Sequence, residues 1–297
     1  MNMRHPISPA GIAASTCQHS ADADASSGSV LLSVSAQLSR ALAALPANSR
    51  ILDAGAWFRP LPVATHAVDL LPYETRGGRL RLTPLHGERF SKKTWHQINF
   101  LEPSLRLPFP DRSFDFCVCS QTIEDLSDPE PLLRELRRVS RAGAIECPSR
   151  LAEQTVGVRD RVVGEQGHPH HHWIVDSGDC RLELASKHES LVGPRQAHAV
   201  PLAFYERLVA ANPEIASATL LWTGDFDWRI LSSREARVYA QDFVTRLSIP
   251  PGARLRDAVV RRLRGWKRIF RAPHSRPPEV WWHEMLVLSR PYSTIPL

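Results

Sequence analysis

Two acidic residues and a glycine in "ILDAGAWFRPLPVATHAVDL", residues 51–70, have the types and spacing of a ligand site. Asp53 and Gly55 follow a short apolar run, and Asp69 ends a second one. Ligands bind open parallel sheets at the carboxyl ends of the strands, which is where these residues would lie. Because a carboxylate accepts two hydrogen bonds at once, Asp69 suits the two hydroxyls of a ribose.

The sequence of the turn after Gly55 discriminates between two candidate cofactors that both carry a ribose. A dinucleotide needs its pyrophosphate at a helix N-terminus, which the sequence G-x-G-x-x-G provides. Within residues 51–70 Gly55 is the single glycine, and Pro60 and Pro62 leave almost no room for a helix. S-adenosylmethionine carries no phosphate and needs one close approach of the backbone, for which Gly55 suffices. The turn therefore disfavours a dinucleotide and leaves S-adenosylmethionine open.

The elements that position these residues are best defined in "LPFPDRSFDFCVCSQTIEDLSDPEPLLRELRRVSRAGAIECPSR". An apolar strand around Phe116 ends at Ser120, Asp128 caps a helix with an apolar stripe, and "AIECP" is the next strand. A strand, a helix and a strand in close succession form a βαβ crossover, so the strands run parallel. Together with residues 51–70, this predicts an α/β fold: a Rossmann-like doubly wound, mostly parallel sheet with helices on both faces.

Composition divides the chain into three predicted parts. Residues 1–29 are rich in Ala and Ser and are predicted to be disordered. Residues 30–235 form the Rossmann-like domain, and residues 236–297 form a basic C-terminal extension. The extension contains "VWWHEMLVLSR", a predicted strand that either completes the main sheet or belongs to a separate tail.

Several shorter segments of the domain have clear patterns. Helical spacing begins at Leu31 and ends near Pro46, whereas residues 73–97 are polar and irregular and are interpreted as a long loop. Further on, "VPLAFYERLVAANP" predicts a helix, and "ASATLLWTGDFDWRILS" predicts a strand or a hairpin.

Charge and cysteine use restrict the setting in which the protein works. The net charge of +6 weakly indicates anionic partners. The five cysteines form no C-x-x-C, and Cys117 and Cys119 alternate in an apolar strand, which favours reduced core thiols. We see no secretory signal and no run of about 18 or more apolar residues, so a cytoplasmic location is predicted.

Residues 254–271 have the pattern of a basic amphipathic helix. Eight Arg and Lys residues alternate there with an apolar stripe that includes Leu255 and Trp266. A helix packed on the domain with a solvated arginine face is the favoured interpretation, and peripheral contact with an anionic membrane is the alternative. Nucleic acid is an unlikely partner because the segment lacks a recognition motif. The pattern leaves the oligomeric state unknown.

The stretches "ILDAGA" and "HAVDL" and the region from "LPFPDRSFD" to "AIECPSR" resemble the class I S-adenosylmethionine-dependent methyltransferases of the small-molecule type. The resemblance covers roughly residues 48–150, and its second block is the more specific because it is long and ordered. Two features depart from the family pattern: Asp125 stands where His is usual, and the later glycines of the first motif are missing. The turn at Trp57, with "LPYETRG" and "GHPHHHWIVD", resembles a subset whose cofactor loop is remodelled.

The resemblance implies a cofactor site for S-adenosylmethionine. Asp53 and Gly55 would line the methionine end, Asp69 would hold the ribose, and Asn99 would lie beside the adenine. Ser120 and its neighbours would face the sulfonium and the substrate. The implied set of cofactor-binding residues is Asp53, Gly55, Ala56, Asp69, Leu70, Asn99, Phe100, Ser120 and Gln121.

The implied reaction is displacement of the methyl group from the sulfonium by a nucleophile, accelerated mainly by alignment. A hydroxyl acceptor would also need a general base. The candidate catalytic residues are His170, His171, His172 and Glu146, with His168 and Glu124 as further possibilities. No metal site is predicted, because adjacent histidines do not easily aim at one ion and no cysteine spacing accompanies them.

Two functions from different classes follow. The first is an S-adenosylmethionine-dependent methyltransferase acting on a small molecule or glycan acceptor. The second is a non-catalytic, methyltransferase-like binding or scaffold protein whose cofactor pocket has decayed. Binding of the cofactor separates the two.

Overall fold

The structure is a computed structural model. It describes residues 35–77, 87–158, 165–178, 180–256 and 259. The chain divides into two compact units. The sheet unit contains the described residues up to Glu146 together with Leu221–Phe226, and the hairpin unit contains Cys147–Leu220 and the described residues from Asp227 on. The predicted boundary at residue 235 stays a prediction, and residues 1–29 lie outside the described part.

A six-stranded sheet has the order β3-β2-β1-β4-β5-β8. Its strands are β1 (Ile51–Ala54), β2 (His66–Asp69), β3 (Trp95–Gln97), β4 (Phe116–Ser120), β5 (Ala142–Pro148) and β8 (Ser217–Thr223). The pairings of β3 with β2, β2 with β1, β1 with β4 and β4 with β5 are all parallel. The prediction of a Rossmann-like, mostly parallel sheet is therefore confirmed. The strand order reverses between β1 and β4, which is the position where such sheets bind ligands.

The central strands have the burial that their sequences predict. Every residue of β1 is buried, as are the first four residues of β4, as expected for parallel strands covered on both faces. Strand β3 is the exception: the sequence predicts a loop over residues 73–97, and for residues 95–97 that prediction is wrong. Its three residues, Trp95, His96 and Gln97, are too few and too polar to form a periodic pattern, and pairing with β2 defines the strand.

Two helices of the sheet unit begin at side-chain hydrogen bonds. Helix α1 (Ala36–Ala43) is capped by Ser35, whose side chain accepts from the backbone N of Leu38 at 3.1 Å. Helix α2 (Glu130–Val139) begins one residue after Pro129, and Asp128 accepts from the backbone N of Glu130 at 3.0 Å. The predicted apolar stripe of α2 is buried. Helix α2 ends at Val139, and Ala142 already belongs to β5.

The hairpin unit has a small sheet of its own, in the order β6-β7-β9. Strands β6 (Trp173–Gly178) and β7 (Arg181–Ser186) are antiparallel, and β9 (Asp227–Ile230) runs parallel to β7. The helices are α3 (Arg150–Glu153), α4 (Lys187–Ser190), α5 (Arg195–His198), α6 (Leu202–Ala211) and α7 (Ser233–Arg246). Helix α6 confirms the prediction of a helix in "VPLAFYERLVAANP". The hairpin alternative for "ASATLLWTGDFDWRILS" is wrong, because β8 and β9 pair in different sheets.

Several predictions fall on residues that the structure does not describe. The start of the helix at Leu31, the strand "VWWHEMLVLSR" and most of residues 254–271 lie outside the described residues. In the described part of the chain, no helix is both long and apolar enough to cross a bilayer.

The cysteines fit the sequence-based prediction only in part. Cys117, Cys119 and Cys147 are buried free thiols. Burial raises the pKa of the Cys117 thiol to about 12, so this thiol is a core residue rather than a nucleophile. Cys17 lies outside the described residues, and Cys180 does not fit the prediction because it is disulfide-bonded.

Candidate functional site

The carboxylates of Asp53 and Asp69 lie at the carboxyl ends of the adjacent strands β1 and β2, and both bind the loop that follows β1. Asp53 Oδ2 accepts from the backbone N of Leu61 at 2.7 Å. Asp69 Oδ2 accepts from the backbone N of Trp57 at 2.9 Å, and its Oδ1 accepts from Leu71 N at 2.9 Å. The loop that replaces the usual helix is thus held at both ends by the two acidic residues predicted to bind cofactor.

Burial shifts the titration of both carboxyl groups. Desolvation raises the pKa of Asp53 to about 7, against an opposing hydrogen bond from Leu61 and with a further increase from Asp69. Desolvation also raises the pKa of Asp69 to about 6, although hydrogen bonds from Leu71, Trp57 and Leu70 oppose the shift. Carboxyl groups perturbed this strongly are frequent in functional sites.

Gly55 is required by the protein's own packing. Its φ of +84° is left-handed, and a Cβ added there would lie 1.9 Å from Oγ1 of Thr122. Thr122 follows β4, and its Oγ1 donates to the backbone O of Ser120 at 3.1 Å. The close approach that the sequence suggested for a cofactor is therefore made by a threonine of the neighbouring strand end.

The loop after β1 is fixed by further contacts. The indole Nε1 of Trp57 donates to Thr75 Oγ1 at 3.0 Å, and the backbone O of Trp57 accepts from Gly77 N at 2.6 Å. Ala56 is buried in the core, while the side chain of Phe58 is 48% exposed. Trp57 therefore packs as a loop residue, and Phe58 projects into solvent.

The remaining predicted cofactor residues follow β2, β3 and β4. Leu70 is half-buried and its backbone O accepts from Gln97 Nε2 at 2.9 Å. Asn99 is half-buried and closes its own turn, accepting from Leu101 N and donating to Glu102 Oε1, both at 3.1 Å. Phe100 is buried.

The residues after β4 include a strained backbone position. Gln121 is exposed, and its φ of +54° is a backbone conformation that residues other than glycine rarely adopt. Its backbone N donates to the carbonyl O of Glu146 at 2.7 Å, and Ser120 is half-buried beside it. Strained positions of this kind concentrate at binding sites, and this one lies at the switch point between β1 and β4.

Glu146, a predicted catalytic residue, is 1% exposed and belongs to β5. Its Oε2 accepts from the backbone N of Ser35 at 2.9 Å, and its Oε1 lies 3.5 Å from Ser120 Oγ. The carboxylate therefore holds the start of α1. Glu124, the further candidate, is also buried.

The histidine cluster belongs to the hairpin unit, and the structure separates its members. His168 and His171 both bind Glu153, through Nδ1 to Oε1 distances of 2.9 and 2.8 Å. His170 and His172 are exposed. The predicted catalytic set thus contains one buried imidazole, at His171, and two that reach solvent.

Glu153 and Lys187 are the functional candidates that the sequence did not reveal. Glu153 is 1% exposed, and Lys187 Nζ lies 2.5 Å from its Oε2. Burial alone would raise the pKa of Glu153, but hydrogen bonds from His168 and His171 and the charge of Lys187 outweigh it and hold the pKa well below its usual range. Glu153 comes from a helix of four residues, which has no periodic pattern to mark it.

The same three groups have the residue types of a metal site, and their distances decide between an ion and hydrogen bonds. Donor atoms around a tetrahedral Zn²⁺ with bonds of about 2.0 Å lie about 3.3 Å apart. The two Nδ1 to Oε1 distances of 2.8 and 2.9 Å are shorter and are ordinary for charge-assisted hydrogen bonds. The geometry favours a hydrogen-bonded cluster, and the absence of a metal remains a prediction.

Comparison with known proteins identifies the matching family. A family model described as a methyltransferase domain matches residues 77–146, about a quarter of the chain. This range contains β3, β4, α2 and most of β5, but not the turn after β1. A search of curated proteins found no match.

Solved structures similar to this chain include S-adenosylmethionine-dependent methyltransferases from three organisms. The one from Thermotoga maritima is 21% identical over 42% of this chain and 54% of its own, with a TM-score of 0.28. The one from Aquifex aeolicus is 19% identical over 38% and 63%, with a TM-score of 0.28. The one from Mesorhizobium loti is 16% identical over 61% and 94%, with a TM-score of 0.30.

The matched part of this chain spans 54% of the length of the Thermotoga maritima structure and 63% of the Aquifex aeolicus structure. TM-scores this low do not establish the fold, which follows from the observed strand order. The family match and the strand order together confirm the resemblance to class I S-adenosylmethionine-dependent methyltransferases. That family implies S-adenosylmethionine as the cofactor.

The residues at the carboxyl edge are compatible with this cofactor. A carboxylate offers about four lone-pair sites. Asp69 uses three of them for the backbone N–H groups of Trp57, Leu71 and Leu70, so acceptor capacity remains for a ribose hydroxyl. Two buried carboxyl groups also favour a cationic sulfonium over a phosphate.

Proposed function

We propose that the protein is an S-adenosylmethionine-dependent methyltransferase whose acceptor is a small molecule or a glycan. The supporting observation is the pair of carboxylates, Asp53 and Asp69, at the ends of adjacent parallel strands beside the switch point of the sheet. The family match over residues 77–146 gives this pair its chemical context.

The roles of the residues follow from their positions. Asp69 would accept from the ribose hydroxyls, Asn99 would lie toward the adenine, and Gly55 and Asp53 toward the methionine end. When bound, S-adenosylmethionine supplies an electrophilic methyl group on a positively charged sulfur. Ala56, Leu70, Phe100, Ser120 and Gln121 complete the proposed cofactor set.

A proton must leave the acceptor if its nucleophile is a hydroxyl. His170, His171, His172 and Glu146 remain the proposed candidates for this step. Their surroundings differ, because His170 and His172 are exposed whereas Glu146 is buried against Ser35. The exposed imidazoles exchange protons with solvent directly, so they are better suited to this role than Glu146 in the described conformation.

One observation favours the second candidate function, a non-catalytic binding or scaffold protein. The loop from Trp57 to Leu61 already occupies acceptor sites of both carboxylates, and Thr122 fills the space beside Gly55. If the loop kept this position in the presence of cofactor, the cofactor could not bind. The protein would then keep its fold but have no methyltransferase activity.

Isothermal titration calorimetry of the full chain with S-adenosylhomocysteine separates the two functions. We expect binding with micromolar affinity, at least tenfold weaker in Asp69→Ala and unchanged in Asp227→Ala, an exposed carboxylate of the hairpin unit. Asn99→Ala tests the adenine end without touching the loop, and we expect a loss of threefold or more. No heat of binding to folded wild-type protein would refute the enzyme function.

A further inference from the structure

The imidazoles of His168 and His171 share one acceptor atom. Both Nδ1 atoms lie within 2.9 Å of Glu153 Oε1. An ionised carboxylate only accepts hydrogen bonds, so each ring must carry its hydrogen on Nδ1. When such a ring is neutral, its Nε2 holds a lone pair and accepts protons.

The backbone around His168 is fixed by the same groups. Its N donates to Glu153 Oε2 at 3.3 Å, and its O accepts from Lys187 Nζ at 2.6 Å. The same carbonyl O accepts from the backbone N of His171 at 3.1 Å, which closes a turn with Pro169 at its second position. The turn brings the two rings into a stack with centroids 4.6 Å apart.

A glycine allows this close approach. Gly167 has a φ of +60°, and a Cβ added there would lie within 2.7 Å of Glu153 atoms, including backbone atoms. Its backbone N donates to the carbonyl O of Thr155 at 2.8 Å. The segment before His168 is therefore held directly against α3.

Exposure distinguishes the two stacked imidazoles. The side chain of His171 is 5% exposed, and that of His168 is 26% exposed. In the described conformation solvent barely reaches the side chain of His171, whereas the side chain of His168 contacts Glu153 and is partly open to solvent.

We propose that His168, oriented by Glu153, is an acid–base site of the hairpin unit whose Nε2 takes a proton from the hydroxyl group of a ligand. The ligand O–H bond breaks, its electron pair stays on oxygen, and the proton forms a new N–H bond at Nε2. The imidazolium that results is stabilised by its hydrogen bond to the ionised carboxylate of Glu153. Return of the proton to the ligand or to water restores the neutral ring.

Four other titratable or charged groups surround this pair. Lys187 contacts Glu153 directly, His171 stacks on His168, and His170 meets it edge-on at 6.1 Å. Tyr205 lies close enough to Glu153 for the negative charge to raise the pKa of its phenol, beyond the effect of burial. Lys187 balances Glu153, so a proton gained at His168 leaves the cluster with a single positive charge.

This acid–base site goes beyond the proposed function, because it is built from residues of the hairpin unit alone. The imidazole geometry itself does not depend on that function. Its test therefore uses neither cofactor nor acceptor.

The first measurement is the tautomer of His168 in the full-length wild-type protein, by ¹⁵N NMR of the imidazole nitrogens above the pH at which the ring deprotonates. We expect hydrogen on Nδ1 and a bare Nε2. We expect Glu153→Gln to shift His168 to the opposite tautomer. The control is Glu165→Gln, which makes the same substitution at an exposed carboxylate of the same segment, and we expect it to leave the tautomer unchanged. Hydrogen on Nε2 in the wild type would overturn the proposal without any variant.

The second measurement is acylation of histidines by diethylpyrocarbonate, mapped by mass spectrometry. We expect His168 to react at Nε2 at least as fast as the more exposed His172, and Glu153→Gln to slow His168 about tenfold while leaving His172 unchanged. Glu153→Asp, which keeps the charge but shortens the side chain, should give an intermediate rate. Equal rates at His168 in all three proteins would contradict the proposal.

These outcomes are independent of cofactor binding. If His168 carries its hydrogen on Nδ1 but calorimetry detects no binding of S-adenosylhomocysteine, the acid–base proposal is supported and the methyltransferase proposal is refuted. If S-adenosylhomocysteine binds but His168 carries its hydrogen on Nε2, the methyltransferase proposal is supported and the acid–base proposal is refuted.

Discussion

At the scale of single residues, Gly55 is the position where one added carbon has the clearest effect. Gly55→Ala would place a methyl group into Thr122 and force a left-handed backbone, so we expect unfolding free energy to fall by roughly 2–4 kcal/mol. Urea denaturation measures the loss. The double variant Gly55→Ala with Thr122→Ala should recover part of it, because Thr122 Oγ1 and Cγ2 are two of the three clashing atoms. Purely additive losses would contradict the steric explanation.

The raised pKa of Asp69 predicts how cofactor affinity depends on pH. Ribose hydroxyls donate to the ionised carboxylate, and the pKa of about 6 means that Asp69 loses its proton between pH 5 and 7. We expect calorimetric affinity for S-adenosylhomocysteine to rise over that interval, by up to about tenfold per pH unit. Asp69→Asn should remove this rise. An affinity independent of pH in the wild type would contradict a ribose contact by this carboxylate.

Sequence reasoning located chemically active residue types well and their partners poorly. Asp53, Gly55 and Asp69 lie at strand ends, as the spacing predicted, because local strand patterns determine where those ends fall. The binding partners are different, since Thr122 and Leu61 reach these groups only after distant segments have packed. Glu153 was missed for the same reason: its contacts to His168 and Lys187 are long-range.

At the scale of elements, Glu146 connects β5 to the start of α1. An isolated helix of eight residues is unstable in water, so α1 depends on such contacts and on its buried face. We expect Glu146→Ala to accelerate hydrogen exchange of the α1 amides by tenfold or more, since a backbone donor loses a charged acceptor. Amides of β4 serve as an internal reference, and Glu206→Ala is the control variant.

A different result would assign Glu146 another role. If α1 keeps its protection in Glu146→Ala while cofactor affinity or turnover falls, the carboxylate acts in the chemistry rather than in holding the helix. Equal acceleration at α1 and β4 would indicate loss of global stability and no specific connection.

Elements with strong local patterns were predictable, and those defined by pairing were not. Strands β1, β2, β4 and β5 and helices α2 and α6 have apolar runs or stripes bounded by polar, Pro or Gly residues. Strand β3 has only three residues and exists through its pairing with β2. Strands β8 and β9 look like a hairpin in sequence because only three residues separate them, yet each pairs with a different distant strand.

At the scale of the whole molecule, we expect the free energy of unfolding to pass through a maximum as the pH changes, and to decrease on both the acidic and the basic side of it. Asp53 and Asp69 have raised pKa values, so the folded state holds protons that the unfolded state releases above about pH 4. Unfolding free energy should therefore fall from about pH 4 to about pH 7. Glu153 has a lowered pKa, so its contribution is present above its unfolded value and is lost as the pH falls below it.

Denaturation from pH 3 to 8 measures both sides of this profile. We expect Asp53→Asn to flatten the decline above pH 4, and Glu153→Gln to flatten the loss on the acid side. Each unit of pKa shift corresponds to about 1.4 kcal/mol at full effect. A stability that rises from pH 4 to 7 in the wild type and in Asp53→Asn alike would show that other groups dominate.

The sheet unit is interrupted in sequence, and this affects the order in which the protein is made. Leu221 completes the hydrophobic core of this unit, and the indole of Trp222 fills the space above Gly143 in β5. During translation β5 leaves the ribosome well before these two residues, because residues 149–220 are synthesised between them. The β5 edge of the nascent sheet therefore stays unpaired until Leu221 and Trp222 are synthesised. We expect chaperones to bind this edge during translation.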